Sequence, residues 1–270
     1  MAERVASLSM YEIAETAAAT DAWWKGLARC FTAAGVANVP VALTRPGLGS
    51  KFWLRPDMLF SQTCGYPMIT KLAGRVTLLG TPSYDAPGCE AADYSSLVIV
   101  HQDALWEAFQ DLRGKTCAVN GVGSWSGHHA LRLLIALEGG QGGLFCQAIE
   151  SGEHAASIAA VADGRVDFAA VDCITYATLS RHKPATVAGT RVLCRTPAMP
   201  GLPLIAGKAA SADDIETMRA GLAAAAADPA LAEARKSLGI TGMHFLKKSD
   251  YDRLAAALLK SEEAGVGSLL

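Results

Sequence analysis

The chain has 270 residues, of which 51% are hydrophobic and 19% are charged, and its formal net charge is −2. This length and composition predict an α/β protein with one large or two smaller domains. The basic residues are scattered, which excludes a nucleic-acid-binding surface because such surfaces carry clustered basic residues. No apolar run approaches the roughly 20 residues that span a bilayer, so membrane insertion is not expected.

The N-terminus begins MAERVASLSM and lacks a charged region followed by a long apolar run and a cleavage site. This pattern predicts a cytoplasmic protein, or a periplasmic one if a leader has been removed. Seven cysteines lie far apart, at positions 30, 64, 89, 117, 146, 173 and 194, and none forms a CxxC motif. We therefore expect reduced, mostly buried thiols, with no metal site and no cofactor.

Apolar runs of strand length alternate with segments of helical period along the chain, which is typical of an α/β fold. The predicted strands are residues 5–10, 39–43, 58–61, 76–80, 97–101, 115–120, 166–171, 191–195 and 204–206. The predicted helices are residues 11 to about 34, 126–137, 155–162 and 174–181, with Asp21 as an N-cap inside the first. A polar, turn-rich segment between residues 80 and 96 predicts a loop at a surface or cleft.

Three start signals predict a helical tail. Ser211 with Asp214 three residues later resembles a capping box, and Asp228 precedes a proline suited to the first helical position. Ser249 is placed to cap a last helix.

The stretch NGVGSWSGHHALR, residues 120–132, carries the clearest binding signal. A strand that ends in a Gly/Ser turn before a helix presents unpaired backbone N–H groups and the positive end of the helix dipole. Asn120, Ser124 and Ser126 add polar side chains, so the junction suits an oxyanion. It matches neither GxxxxGK[ST] nor GxGxxG, which leaves nucleotide binding unsupported. The alternative is that Ser126 is a plain N-cap.

Two further segments place polar residues where helices begin. His154 follows a loop in ESGEHAAS, and it would either donate to an anion or lie solvated at the surface. Asp172 follows the apolar strand in VDFAAVDC, a position that often faces the ligand crevice of open α/β sheets. Its carboxylate would pair with an ammonium group, accept from a hydroxyl, or cap the next helix.

The first half repeats this geometry in LFSQTCGYP, where a strand, a polar turn and a helix follow one another. Gln62, Thr63 and Tyr66 can reach a ligand there. Tyr11 and Tyr94 lie at other strand–loop junctions and would form aromatic walls or pack in the core. No GxSxG or HExxH motif is present, so no catalytic residue is assigned.

Together these segments resemble the phosphate/phosphite/phosphonate-binding proteins of ABC transporters, a branch of the type II periplasmic binding proteins. The matching segments are SLSMYE, SQTCGYP, YSSLVIV, DLRGKTCAVNGVGSWSG, SGEHAASIAAVADGRVDFAAVDCITY and PGLPLI. The resemblance implies an α/β fold with two lobes, each a mixed sheet flanked by helices, and a ligand cleft between them. It places lobe 1 at residues 1–99 with 191–270, lobe 2 at 100–190, and hinge strands near 98–103 and 188–193.

The resemblance also implies roles for individual residues. Ser124, Ser126 and Gly127 would hold the phosphonate oxygens, His154 would contact the anion, and Asp172 matches the family's acidic position. The remaining expected ligand-binding residues are Tyr11, Gln62, Thr63, Tyr66, Tyr94, Asn120, Trp125 and His128. The last two depart from the family pattern, because Trp125 is bulky and His128 follows a glycine where small or polar residues are usual.

The favoured function is a solute-binding protein for phosphate, phosphite or a short phosphonate, with an ABC-transporter permease as its partner. One alternative is a cytoplasmic enzyme on the same fold, related to menaquinone or thiamine-pyrimidine biosynthesis, with His154 or Asp172 as acid or base. Another is a cytoplasmic ligand-sensing domain. Fold similarity does not separate these three functions.

Overall fold

The computed structural model of the protein describes residues 4–45, 50–139 and 147–270. The chain divides into two compact units. Unit one comprises Met1–Asp85 with Pro200–Tyr251, and unit two comprises Ala86–Met199 with Asp252–Leu270.

Strands and helices alternate along the described residues. The strands are β1 Val5–Ser7, β2 Met58–Gln62, β3 Val76–Tyr84, β4 Cys89–Glu90, β5 Asp93–Tyr94, β6 Ser96–His101, β7 Thr116–Val119, β8 Gln147–Glu150, β9 Phe168–Asp172, β10 Thr190–Arg195, β11 Met199–Pro200, β12 Leu204–Gly207 and β13 Ile240–His244. The α-helices are α1 Ala17–Ala34, α2 Ser50–Trp53, α3 Gly65–Ile69, α4 Ala130–Leu137, α5 His154–Ala162, α6 Cys173–His182, α7 Pro184–Val187, α8 Ala212–Ala227, α9 Ala232–Leu238 and α10 Asp252–Glu263. Shorter 3₁₀ turns occupy Ala14–Thr16, Phe109–Leu112, Pro229–Leu231 and Lys248–Tyr251, and a π-helical turn occupies Trp125–His129.

Unit one is built on a mixed five-stranded sheet in the order β1-β2-β12-β3-β13. Strands β1 and β2 are parallel and the other neighbours are antiparallel. Its core includes an aromatic group in which the rings of Trp24 and Phe31 lie 5.7 Å and 5.4 Å from the ring of Phe60. Helix α8 packs so closely on α1 that a Cβ added to Gly221 of α8 would lie 2.6 Å from the Phe31 ring of α1.

Unit two has a second mixed five-stranded sheet in the order β10-β6-β9-β7-β8. Strands β9, β7 and β8 run parallel, whereas β6 pairs antiparallel with both β9 and β10. The central strands contribute fully buried side chains such as Val98, Val119 and Phe168, and Leu131 of α4 packs against them. Consecutive parallel strands bring the loops after β7 and β9 to one edge of the sheet.

The structure confirms most predicted elements and corrects three of them. Residues 39–43 form no strand; Val39 and Leu43 are apolar because they pack against the core of unit one. Asp21 lies inside one continuous helix that begins at Ala17, so it caps nothing. The predicted loop after residue 80 is partly strand, since β3 continues to Tyr84.

The structure divides the chain at other positions than those expected from the resemblance. The strands expected to act as hinges correspond to β6 and β10, which pair with each other over most of their length within the sheet of unit two. The chain divides instead after Asp85 and after Met199. Helix α10 also belongs to unit two, where it packs against α4.

The tail confirms two of the three predicted start signals. Ser211 caps α8 in a capping box with Asp214, and Asp228 accepts a hydrogen bond from Ala230 at the turn that begins with Pro229. Ser249 instead lies within the 3₁₀ turn before α10. No helix in the described ranges is long and apolar enough to cross a membrane.

The capping box yields a stability prediction. The Ser211 hydroxyl accepts from the Asp214 amide at 3.0 Å, and the Asp214 carboxylate accepts from the Ser211 amide at 3.0 Å. We expect Ser211→Ala to lower the free energy of unfolding by about 1 kcal/mol, measured by urea denaturation. Ser180→Ala, at an exposed position on α6, is the control and should change it little. Equal unfolding midpoints for the two variants would contradict a stabilising cap.

Candidate functional site

The loop between β7 and α4 is organised by Ser124. Its backbone is extended, and its hydroxyl accepts a hydrogen bond from the Gly127 amide at 3.1 Å. The His129 amide donates to the Ser124 carbonyl at 3.2 Å, which produces the wider π-helical turn ahead of α4. Ser124, not Ser126, is therefore the N-cap, and the Ser126 hydroxyl is left for other contacts.

Polar side chains from three segments meet at this turn. The Ser126 hydroxyl lies 2.9 Å from His154 Nε2, at the start of α5. The Asn120 amide nitrogen, just past β7, lies 3.5 Å from the same ring nitrogen, and the Ser124 and Ser126 hydroxyls are 3.5 Å apart. These four residues with Gly127 are called the Ser126–His154 cluster below.

The cluster is packed so tightly that position 127 has no room for a side chain. A Cβ added to Gly127 would lie 1.8 Å from Asn120 Oδ1 and 3.2 Å from His154 Cε1. Glycine at this position therefore lets the Asn120 side chain approach the turn closely, which is a common reason for glycine where backbone meets a ligand or another chain segment.

The histidine of the cluster is neutral at physiological pH. Burial lowers the pKa of His154 from 6.5 to about 4, because desolvation disfavours the imidazolium. Its Nδ1 atom and the Oδ1 atom of Asn120 are both buried and have no hydrogen-bond partner in the part of the chain that the structure describes. Buried polar atoms without partners are uncommon and costly, so the cluster offers one unsatisfied acceptor and one ring nitrogen to a ligand.

Ser151 and Ser157, one on each side of His154, hold the start of α5 in place. The Ser151 amide donates to the Val119 carbonyl at 2.8 Å, which ties the start of α5 to the end of β7. The Ser151 hydroxyl lies 2.7 Å from the hydroxyl of the fully buried Ser157. Both belong to the segment ESGEHAAS, in which one serine precedes the histidine and one follows it.

Asp172 adopts the capping arrangement that the sequence left open. It ends β9, and one carboxylate oxygen accepts from the amides of Ile174 at 2.8 Å and Thr175 at 3.2 Å. The side chain is 3% exposed. Asp172 therefore caps and starts α6.

Trp125 and His128 lie on another face of the turn from Ser126. Each is 2% exposed. The Trp125 ring lies 6.1 Å from the His129 ring, and His128 Nε2 accepts from the Leu269 amide at 3.2 Å. Both side chains are therefore occupied by packing within unit two and do not join the cluster. Tyr94, in β5, is likewise buried in this unit.

The predicted site residues of unit one form a second group. Gln62 Nε2 donates to the Tyr84 hydroxyl and to the Leu202 carbonyl, each at 3.2 Å. The rings of Tyr11 and Tyr84 meet edge to face at 5.3 Å. Tyr84 thus contacts two of the predicted site residues. It was not itself expected at the site, because the turn-rich sequence around it predicts a loop and not the end of β3.

The other two predicted residues of unit one lie at the start of α3. Thr63 is fully buried, and its hydroxyl has no hydrogen-bond partner among the residues described. Tyr66 is partly buried in the first turn of α3. Unit one therefore contains four of the predicted site residues, Tyr11, Gln62, Thr63 and Tyr66, and unit two contains the others.

Solved structures share this fold. A binding protein component of an ABC phosphonate transporter from Pseudomonas aeruginosa matches with a TM-score of 0.76 and 15% identity, over 97% of this chain and 87% of that chain. PhnD1 from Prochlorococcus marinus, in complex with methylphosphonate, matches with a TM-score of 0.74 and 11% identity, over 96% and 98% of the two chains. A Xanthomonas citri protein bound to ATP has a TM-score of 0.71 and 17% identity, over 97% and 98%.

At these identities the likeness establishes the fold, and it confirms the predicted α/β fold of the two-lobed periplasmic binding proteins. Among curated proteins, none matches the chain in sequence. The family described as the periplasmic substrate-binding protein of phosphonate ABC transporters matches residues 55–251. Because this match covers well over half of the chain and includes both the Ser126–His154 cluster and β9, the protein belongs to the family of phosphonate ABC-transporter substrate-binding proteins.

Proposed function

We propose that the protein binds a small phosphorus oxyanion (phosphate, phosphite or a short phosphonate) and delivers it to an ABC-transporter permease. The observation that carries the proposal is the Ser126–His154 cluster, in which two hydroxyls, a neutral imidazole and an unsatisfied amide oxygen meet beside a helix start. Membership of the phosphonate-transporter family supports the same ligand class.

The donors of the cluster suit an oxyanion. The hydroxyls of Ser124 and Ser126 can rotate toward ligand oxygens, and the imidazole of His154 can present an N–H group. Hydrogen bonds to a charged group contribute about 1.5–3 kcal/mol each, so a few of them support micromolar affinity after the cost of ordering the ligand.

Asn120 supplies a reason to prefer phosphorus oxyanions over sulfate. Its Oδ1 atom is an acceptor that lacks a partner. Phosphate, phosphite and phosphonates carry P–OH groups near neutral pH and can donate to it, whereas sulfate is fully deprotonated. A sulfate ion would leave this buried oxygen unsatisfied, which carries a penalty of about 1–3 kcal/mol.

The proposal predicts a ligand-dependent rise in thermal stability. Millimolar methylphosphonate, phosphite or phosphate should raise the melting temperature by mass action, and sulfate should raise it less. Ser126→Ala should weaken binding by about 10- to 100-fold in calorimetric titrations, because one hydrogen bond to the anion is lost. The matched control is Ser180→Ala, which replaces an exposed serine on α6 and should bind as the wild type does.

Two results would overturn this function. One is a melting temperature that no tetrahedral phosphorus oxyanion changes at millimolar concentration. The other is equal affinity for Ser126→Ala and Ser180→Ala, which would mean that the turn before α4 has a structural role and does not bind the anion.

A further inference from the structure

Two cysteines of unit two lie side by side. Cys89 in β4 and Cys173 at the start of α6 are 84 positions apart in the chain, yet their sulfur atoms lie 3.5 Å apart. Cys173 is buried, whereas Cys89 is partly exposed. Neither residue belongs to the Ser126–His154 cluster.

The backbone holds this pair in place from both sides. The Cys173 amide donates to the Ser95 carbonyl at 3.3 Å, and the Ser95 amide donates to the Gly88 carbonyl at 2.9 Å. Gly88 has a φ of +116°, and a Cβ there would lie 3.1 Å from Cys173 Cβ. The glycine therefore lets the loop before β4 lie directly against Cys173. The sulfur–sulfur contact is thus fixed by the backbone on both sides and not only by the side-chain conformation of Cys89.

The two thiols have different surroundings. The hydrogen bond with Cys89, together with burial, raises the pKa of the Cys173 thiol above its ordinary value. Because the thiolate is the attacking species, the buried Cys173 is a poor first nucleophile. Cys89 is the thiol that a dissolved reagent reaches first, and Cys173 is placed to attack it in turn.

We propose that Cys89 and Cys173 are a redox-sensitive pair that closes into an intramolecular disulfide. The Cys89 thiolate attacks one sulfur of a small-molecule disulfide such as oxidised glutathione and releases the first thiol. Cys173 then loses its proton, attacks the Cys89 sulfur and releases the second. Two S–H bonds are lost and one S–S bond forms, while the oxidant is reduced to two thiols.

The expected consequence is a local clamp. The bond would tie the β4–β5 hairpin to the first turn of α6, directly after Asp172. It would also close a long loop of the unfolded chain, the situation in which a disulfide stabilises most in the chain-entropy model. We expect the melting temperature of the oxidised protein to rise by roughly 5–10 °C.

The test uses the full chain treated with oxidised glutathione and then unfolded for thiol counting and peptide mapping. The wild type should lose two of its seven thiols, with Cys89 linked to Cys173. Cys194→Ser, a change in β10, is the matched control and should also lose two. Cys89→Ser should form no internal disulfide, and Cys173→Ser should accumulate a glutathione adduct on Cys89.

Three results would overturn the proposal. The wild type could retain all its thiols, its disulfide could map to other cysteines, or the oxidised chain could melt no higher than the reduced one. Because the test uses no phosphorus oxyanion, its result is independent of the proposed ligand.

Discussion

Gly127→Ala is expected to weaken oxyanion binding by at least about 100-fold, whereas Gly123→Ala, four residues earlier, leaves it unchanged. The added methyl group at position 127 would lie 1.8 Å from Asn120 Oδ1 and 3.2 Å from His154 Cε1. A Cβ at Gly123 would meet no atom within 4 Å. The two variants therefore make the same chemical change in one loop and differ only in what the methyl group displaces.

The loss follows from displacement of several groups at once. To admit the methyl group, Asn120 must turn away or the turn must move relative to His154. The first shift takes the Asn120 oxygen away from the ligand, and the second separates the hydroxyls from the imidazole, so one or more hydrogen bonds to the ligand are lost in either case. Overpacking of this kind also lowers the free energy of unfolding by about 1–3 kcal/mol.

A double variant separates the steric cause from the functional one. In Asn120→Ala/Gly127→Ala the closest clash is removed, so stability should recover relative to Gly127→Ala while affinity stays low, because the acceptor oxygen is gone. Urea denaturation and calorimetric titration with methylphosphonate measure the two effects. If Gly127→Ala binds as tightly as Gly123→Ala, the cluster is not the ligand site.

The fold was predictable because its strands are short apolar runs separated by helical segments. Strands β2, β6, β7 and β9 all correspond to runs that the pattern identifies. The exceptions have a common cause. Residues 39–43 are an apolar run that packs on the core but pairs with no strand. Strand β13 is the opposite case, because it pairs with β3 although its sequence is not a marked apolar run. In both cases tertiary contacts, and not the local sequence, decide whether a strand forms.

The Ser126–His154 cluster was predictable in its residues and not in its geometry. The sequence placed Asn120, Ser126 and His154 at junctions of strands and helices, and parallel strands bring such junctions to one edge. It did not indicate which serine caps the helix. A π-helical turn differs from an α-helical start by one residue in its hydrogen bonding, and no residue pattern reports that difference.

The positions of Trp125 and His128 could have been inferred from their spacing. With His129 and Arg132 they follow the i, i+3, i+4, i+7 pattern, which places side chains on one face of a helix. Ser126 lies outside that pattern. The sequence does not show which segment packs against this face. The residues that contact His128 and Arg132 lie more than 130 positions later in the chain.

That buried face should make folding sensitive to acid. His128 Nε2 accepts from the Leu269 amide, and His129 Nδ1 accepts from the Arg132 guanidinium at 3.2 Å. Arg132 also donates to the Val266 carbonyl at 2.7 Å. Protonation would remove both acceptor atoms and place new positive charge beside a buried arginine.

The pKa values follow from these surroundings. Burial and the charge of Arg132 lower the pKa of His128 from 6.5 to about 4. The pKa of His129 is lowered to about 3, mainly by burial and further by the neighbouring charges of His128 and Arg132. Between these values and 6.5 the unfolded chain binds more protons than the folded one, so stability is highest above pH 6.5 and falls as the pH is lowered.

We expect a loss on the order of 2 kcal/mol for each of these histidines between pH 7 and pH 5, with His154 adding a similar loss. Urea midpoints measured at several pH values test this. His128→Gln and His129→Asn keep an acceptor that does not titrate, so their midpoints should fall less steeply than those of the wild type. Ser180→Ala, at an exposed position on α6 that does not titrate, is the control and should keep the wild-type slope. Equal slopes in all four proteins would place the acid sensitivity elsewhere in the fold.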